Sequence, residues 1–363
     1  MEIKNEKTEN KILAFSACRL FILTAKVSTK IEQTFHYLDI NSIESKRKNQ
    51  LTIGITSENK SLTFYSVDAN NGEEINLMII QMGTALKRIF PQIPLESFIR
   101  RLEVEPSSRL QPMIEYNQSV EQRANLNTIE NPCGGFSTQY ACLCDYLGAN
   151  YREEVAWDID TIYSTHNSTE LSLLDFEHLD SKDFVAIIAA LSYNGWFTKF
   201  RASSVKVFSS HTNNEIAEQI ILLLKRSTVL EEIYLDNTGL KSDSLNKLFL
   251  ALLSNSQTSL HFIDVSNNLI EDKGLKSLNG FLAKSYAISD DSSTNSVSKL
   301  HKGLTHLNLS HTSITSKGIS DLSDSLSLNK TSFLSLTYLN LSGNVLKDDV
   351  NVSLALIFTK CFN

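Results

Sequence analysis

The sequence predicts an α/β chain in two parts: a small β-barrel closed by one helix, then a solenoid of strand–helix repeats. Three observations predict it. Four segments share one spacing, and the first is Leu230-x-x-Ile233-x-Leu235-x-x-Thr238-x-Leu240. The others start at Leu260, Leu304 and Leu336 and carry Asn268, Thr312 and Asn344 at the Thr238 position. Short apolar runs crowd residues 11–65, and one helical period covers Glu73 to Phe90. Asn131-Pro132-Cys133-Gly134-Gly135-Phe136 breaks the chain between the two patterns. The repeat spacing is the leucine-rich-repeat signature. The fold class is therefore a pleckstrin-homology (PH)-like β-barrel followed by a leucine-rich-repeat, ribonuclease-inhibitor-like solenoid.

In chain order, the strands of the first part fall at Ile12–Phe15, Arg19–Leu23, Phe35–Ile40, Leu51–Ile55 and Leu62–Tyr65, with polar breaks between them. The helix opens on Glu73 and Glu74 and closes on Lys87 and Arg88, which suits its dipole. Pro91 ends it. Strands followed by one helix is the order of a PH domain, expected over residues 1–125. In that fold, loops between early strands carry bases that meet anionic lipid. Lys26, Lys30, Lys46, Arg47 and Lys48 are the candidates. Each base near an anionic surface contributes about 1 kcal/mol, so the expected attachment is weak and salt-sensitive. Solvated loop charge is the alternative reading. Arg100 and Arg101 read as local ion-pair members.

Residues 126–167 are expected to be a linker and helical cap. Tyr140, Leu143, Leu147, Val155, Ile159 and Ile162 form an apolar stripe that predicts one helix from Tyr140 to Tyr163. Repeats are expected over residues 168–363, in about six units and incomplete at the C-terminus. Two degenerate units around Leu171 and Phe197 precede the four clear ones. The starts at 230, 260, 304 and 336 give steps of about 30, 44 and 32 residues, long enough for a helix after each strand. Helices are predicted at Phe184–Leu191, Asn214–Leu224 and Ser242–Leu253, with a weaker one from Ser316. The 44-residue step holds a polar, Ser-rich insertion at 289–298, read as disordered.

Strand alternation sends Leu, Ile and Val to the core and the residues between them to the concave face. Those residues are Glu232, Tyr234 and Asp236; Phe262, Asp264 and Ser266; His306, Asn308 and Ser310; and Tyr338, Asn340 and Ser342. Aromatic anchors among acids and amides suit a protein partner, although concave faces are mixed in any such array.

The net charge of −7 argues against nucleic-acid binding. No run of about 18 apolar residues exists to span a membrane. Met1–Lys7 is charged and lacks a signal-peptide core, so the expected compartment is the cytoplasm. Five cysteines form no regular framework. Cys133, Cys142 and Cys144 cluster without zinc spacing, and the latter two read as buried thiols. No phosphate loop, nucleophile elbow or metal cluster is present, so no catalytic residue, metal or cofactor is assigned and the chain is read as non-enzymatic. A Cys133 nucleophile would need a His that nothing in the sequence aims at it.

Pro132-Cys133-Gly134-Gly135-Phe136, Tyr140-Ala141-Cys142, Cys144-Asp145, Tyr151-Arg152-Glu153-Glu154-Val155, Trp157-Asp158, Asp160-Thr161-Ile162-Tyr163 and Asn194-x-Trp196-Phe197-Thr198-Lys199 resemble the CARMIL proteins. These link actin capping protein, the Arp complex and myosin-I. Ile89-Phe90-Pro91 and Glu105-Pro106-Ser107-x-Arg109-Leu110 are similar to the same family. The resemblance implies a scaffold peripheral to the plasma membrane at the leading edge, acting in actin assembly and cell migration. It places the capping-protein-binding motif in a basic, disordered tail beyond the repeats. Capping protein is thus an expected partner only where such a tail exists beyond Asn363. The alternative is a generic repeat-based interaction module, or a truncated competitor of a full-length protein.

Overall fold

The computed structural model describes residues 9–57, 59–66, 72–124, 131–208, 214–283, 303–328 and 336–361. The charged Met1–Lys7 segment and the insertion at 289–298 lie outside them. The chain divides into two units. Met1–Asn131 with Ala141–Gly148 form the first, and Pro132–Tyr140 with Ala149–Asn363 form the second.

In the first unit, β1 (Lys11–Phe15), β2 (Arg19–Thr24) and β3 (Ile31–His36) make an antiparallel sheet. A second sheet has the order β6 (Lys60–Tyr65), β5 (Gln50–Ile55), β4 (Ile40–Ser45), β7 (Arg101–Val104). The strand expected at Phe35–Ile40 is instead a corner, with Tyr37–Asp39 as a 3-10 turn between β3 and β4. The cause is local. His36 Nδ1 accepts the Leu38 N–H at 3.1 Å, and buried Tyr37 donates its hydroxyl to the Ser16 carbonyl at 2.9 Å. The side chain and backbone bonds that a straight strand would point sideways are used to fold the chain over. On β5, Leu51, Ile53 and Ile55 alternate into the core.

Helix α1 (Glu73–Ile89) lies where its period predicts and buries Ile75, Ile79, Met82 and Leu86. Lys87 does not serve as a solvated dipole partner. It is buried, donates to the Ile93 carbonyl at 3.0 Å and pairs with Glu121. Glu121 belongs to α2 (Gln111–Ala124), which the sequence reading did not foresee, as it did not foresee β7. A Cβ at Gly83 would lie 2.1 Å from Met113 Sδ, so a glycine there lets α2 lie against α1.

The second unit opens with a tight turn at Pro132–Gly135, where Cys133, Gly134 and Gly135 all have positive φ. The single helix expected from Tyr140 to Tyr163 is two. Helix α3 (Phe136–Leu147) stops at Gly148, whose φ is +65°, and α4 (Glu153–Trp157) runs on into a π-wound turn at Asp158–Tyr163. A left-handed glycine is a common helix stop that apolar periodicity cannot show.

Six strands then pair in parallel, in chain order: β8 (Glu170–Ser172), β9 (Lys199–Arg201), β10 (Glu232–Tyr234), β11 (Phe262–Asp264), β12 (His306–Asn308) and β13 (Tyr338–Asn340). Helices α5 (Ser181–Leu191), α6 (Asn214–Arg226), α7 (Ser242–Ser254), α8 (Glu271–Ala283), α9 (Ser316–Leu328) and α10 (Asn351–Cys361) follow them in turn. The segment read as a weak helix at Ser316 is a full one. Leu171, Phe200, Ile233, Ile263 and Leu307, at the strand centres, are buried.

Strands this short need other bonds to hold their ends. Asn268 Oδ1 accepts the Thr238 and Leu240 N–H groups at 3.1 and 2.9 Å. Its Nδ2 donates to the Leu235, Val265 and Ser266 carbonyls at 2.8, 3.0 and 3.0 Å. Asn344 repeats the pattern toward Thr312, Ile314 and Leu309. Among the described residues, the side chains around β13 and α10 are less covered than those of the units before them. Ile357 of α10 is buried, but Val352 and Phe358 are exposed, and Leu339, Leu341, Leu346, Leu354 and Phe358 line an apolar cleft of about 350 Å³.

Two outcomes are expected. Asn268→Ala leaves buried backbone groups unpaired and should cost about 2–4 kcal/mol, read from urea midpoints. Asn344→Ala should cost less, since Asn344 is only half-buried. In hydrogen exchange, α10 amides should exchange faster than those of α7, which has packed neighbours on both sides. Equal protection of the two helices would contradict this difference in cover.

Candidate interaction surfaces

The residues between the buried strand centres point to the open face of the six-stranded sheet. Strand register sets them in rows. Glu232, Phe262, His306 and Tyr338 stand opposite one another, as do Arg201, Tyr234, Asp264, Asn308 and Asn340. Four aromatic side chains form a continuous stack. The Tyr234 and Phe262 ring centroids are 4.8 Å apart, Phe262 and His306 5.4 Å, and His306 and Tyr338 5.5 Å. The Arg201 guanidinium lies 3.8 Å from the Tyr234 centroid and closes the row. Stacked pairs of this kind contribute about 0.5–1.5 kcal/mol beyond burial and hold the rings in place.

Charges flank the stack in pairs. Arg201 Nε donates to Glu170 Oε1 at 2.6 Å, and Lys199 Nζ meets Glu232 Oε1 at 2.9 Å. The Tyr234 hydroxyl donates to Glu232 Oε2 at 2.6 Å. Burial pushes the Glu232 carboxyl up, but the Tyr234 hydroxyl and Lys199 outweigh it and hold the group below the usual carboxylate range. Burial and the Glu232 carboxylate push the Tyr234 phenol well up.

The polar candidates are less free than the sequence reading supposed. Asp264 Oδ1 accepts the Ser266 N–H at 2.9 Å, and Asp264 Oδ2 accepts from Asn308 Nδ2 at 2.8 Å. Asn308 and Asn340 accept the Ser310 and Ser342 N–H groups. Asp236 accepts from the Ser203 hydroxyl. Ser266 and Ser310, expected on the exposed face, are buried, because the chain has already left the strand and begun its turn there. Sequence reasoning missed Lys199, Arg201 and Glu170. They sit in degenerate units whose register is set by Phe200 and Leu171, and that register was the signal available.

In the first unit, Lys26 and Lys30 lie in the β2–β3 loop with fully exposed Val27 at its tip. Thr24 closes the loop, its Oγ1 accepting the Lys30 N–H at 2.9 Å. Lys46, Arg47 and Lys48 form the exposed β4–β5 turn. Arg109 braces that turn from beneath, donating to Asn76 Oδ1 at 2.6 Å, Ser45 Oγ at 2.8 Å and the Lys48 carbonyl at 3.5 Å. Lys46 lies 4.0 Å from Glu103, and Arg101 pairs with Glu44 and Glu103. Each basic segment closes a hairpin at the end remote from the Tyr37–Asp39 corner.

The thiols sort differently from their sequence cluster. Cys133 is buried, donates to the Ile159 carbonyl at 3.5 Å, and is pushed up to about 12 by burial and by Asp160. Cys142 lies instead with Cys18 and His36. The Cys133 backbone is held by Asn194, which donates to its carbonyl and to Gln139 Oε1, each at 3.0 Å. Asn194 Oδ1 accepts the Trp196 and Phe197 N–H groups, and Trp196 Nε1 donates to the Ser168 carbonyl at 2.8 Å.

Residues 133–360 match the leucine-rich-repeat domain of the CARMIL family, and residues 1–91 match the Carmil pleckstrin homology domain. The chain is 34% identical over 344 residues to the human capping protein, Arp2/3 and myosin-I linker protein 3, covering 95% of this chain and 23% of that protein. It is 30% identical over 355 residues to the protein CARMIL of Dictyostelium discoideum, covering 97% of this chain and 30% of the relative. It is also 27% identical over 344 residues to the Rho GTPase-activating protein gacW of the same organism, covering 95% and 27%. The chain belongs to the CARMIL family, and it spans less than a third of the length of these relatives. Among the described residues no helix is long and apolar enough to cross a membrane.

Glu232 also makes a pH prediction. A carboxyl held low in the folded state stabilises fully above its unfolded pKa of about 4.3, and the contribution fades as the pH falls through the lower folded value. Glu232→Gln should therefore lower the urea midpoint at about pH 7 and lower it less at about pH 3. An equal gap at both would break the account.

Proposed function

We propose that this chain is the membrane-apposed, protein-binding half of an actin-assembly regulator and performs no chemistry of its own. Family membership across 95% of the chain carries the reading. The two domains divide the labour: PH-like loops meet an anionic bilayer, and the repeat face takes a protein partner on its concave side. For the partner, the stack of Tyr234, Phe262, His306 and Tyr338 is the binding strip. Rings already fixed by one another lose little freedom when a partner covers them, and that raises affinity per contact. Glu232, Asp236, Asp264, Asn308 and Asn340 shape its polar margin, and most of their oxygens are spent holding turns. For the bilayer, Lys26, Lys30, Lys46, Arg47 and Lys48 supply the charge, and the work is placed at the cytoplasmic side of the plasma membrane leading edge.

The bilayer half is tested with vesicles of phosphatidylserine and phosphatidylcholine. Co-sedimentation should be weak, should fall steeply as salt rises, and should drop when Lys46, Arg47 and Lys48 are replaced together by Ala. Unchanged sedimentation of the triple variant would remove these bases from the account. Capping protein, named in the relatives, is proposed to bind through sequence beyond these repeats. Calorimetry with residues 1–363 alone should then show no sub-micromolar binding. Tight binding would place a site on the repeats themselves.

A further inference from the structure

Cys18, His36 and Cys142 form a cluster that the interaction surfaces do not use. Cys18 stands half-exposed in the β1–β2 turn, while His36, at the end of β3, and Cys142, on α3, are buried. The two Sγ atoms and a ring nitrogen of His36 lie within 4.8 Å of one another. Cys142 Sγ is 3.7 Å from Nε2, and Asp145 Oδ2 is also 3.7 Å from it. Arg19 Nε holds that carboxylate oxygen at 2.6 Å.

Two sulfurs, an imidazole and a carboxylate are a donor set that zinc takes elsewhere. The imidazole tautomer decides against it here. The Leu38 N–H can only donate, so Nδ1 carries the lone pair. The ring proton then sits on Nε2, the nitrogen facing the sulfurs, and leaves no lone pair there for an ion. Asp145 Oδ2 is already engaged by Arg19.

The same arrangement suits thiol chemistry. The Cys142 thiol, as hydrogen-bond donor, pulls the Cys18 thiol down to about 5 against the effect of burial; His36 adds to this pull and Asp145 opposes it. Cys142 moves up, first because of its bond to Cys18 and then because it is buried. A thiolate is the reactive form of cysteine, and a second thiol beside it is what a reversible oxidation needs.

We propose that Cys18 is a modification site for hydrogen peroxide and that Cys142 resolves it to a Cys18–Cys142 disulfide. In the first step the Cys18 thiolate attacks one peroxide oxygen. An S–O bond forms, the O–O bond breaks and hydroxide leaves, so sulfur loses two electrons and peroxide gains them. In the second step Cys142 sulfur attacks Cys18 sulfur. An S–S bond forms, the S–O bond breaks, and the Cys142 proton leaves with the departing hydroxide as water. The bond would tie the β1–β2 turn to α3 within the first unit. Cys133 and Cys144, both buried and outside the cluster, are spared.

The full chain is treated with hydrogen peroxide, unfolded, alkylated and mapped by mass spectrometry. The expected result is one linked peptide pair holding Cys18 and Cys142, about 2 Da lighter than the two thiol peptides, with Cys133 and Cys144 alkylated. Cys142→Ala should stop at sulfenic acid on Cys18, captured by dimedone. Cys18→Ser, at a half-exposed position, should abolish the linked pair. At about pH 6 maleimide should label Cys18 in the folded chain faster than in an unfolded control peptide, because a thiolate is the reactive form. The proposal fails if peroxide leaves Cys18 alkylatable while oxidising the control. It also fails if zinc titrated alone binds one per chain and Cys18→Ser removes that binding, which would make the cluster a metal centre.

Discussion

The repeats depend on a buried side-chain amide. Their strands are three residues long, too short to hold a turn in place by ladder bonds alone. Thr238 and Thr312 cannot supply what is missing. Each hydroxyl donates to the carbonyl of Leu235 or Leu309 in its own unit, with the Asn268 or Asn344 Oδ1 as a longer second contact, and neither accepts the N–H groups at stake. The N–H groups of Thr238 and Leu240 would then be buried without an acceptor. Asn268 of the next unit provides it and donates back to Leu235, and Asn344 does the same for Thr312 and Leu309. Thr and Asn at this position are thus complementary, and each Asn fastens its unit to the one before it. Removing such a group costs more than its own bonds are worth, because the orphaned backbone remains buried.

Fixed register at the strands has a consequence on the open face. Neighbouring strands lie about 4.8 Å apart, which is close to the spacing at which aromatic rings stack. A ring at the same strand position in successive units must therefore meet the next one. Phe262, His306 and Tyr338 do so at 5.4 and 5.5 Å. Tyr234 joins diagonally from the neighbouring row, and Arg201, opposite it in register, covers its outer face. The stack needs no interaction beyond the register that the buried Asn ladder maintains.

Periodicity made the fold legible wherever a single burial pattern governed it. The Leu, Ile and Val positions of the clear units reveal strand, turn and helix in order, and alternation assigns the residues between them to the open face. Four things were hidden because they depend on side-chain contacts, strand pairing or backbone angles that periodicity does not show. The corner at Tyr37–Asp39 turns on His36 accepting from Leu38 and on Tyr37 reaching Ser16. The stop in α3 turns on the φ of Gly148. Arg201 and Lys199 lie in a unit whose Phe-rich core departs from the Leu pattern, so their register was uncertain until β9 paired with β10. The Cys18–Cys142 contact joins a turn near the start of the chain to the part of α3 that belongs to the same unit, more than a hundred residues on, and no spacing announces it.

The residues that carry the family resemblance have mainly architectural roles. Asn194 clamps the Cys133–Gly134 turn, where a Cβ on Gly134 would lie 3.0 Å from Trp196 Cβ, and Trp196 ties back to Ser168. Arg109 is consumed beneath the β4–β5 turn. Arg152 pairs with buried Asp183 at 3.0 Å. Each makes these bonds inside its own unit. The ring stack and the loop bases fall outside the signature segments, but exposed Tyr151, Trp157 and Ile162 lie within them, so the signature holds both buried clamps and side chains that face outward.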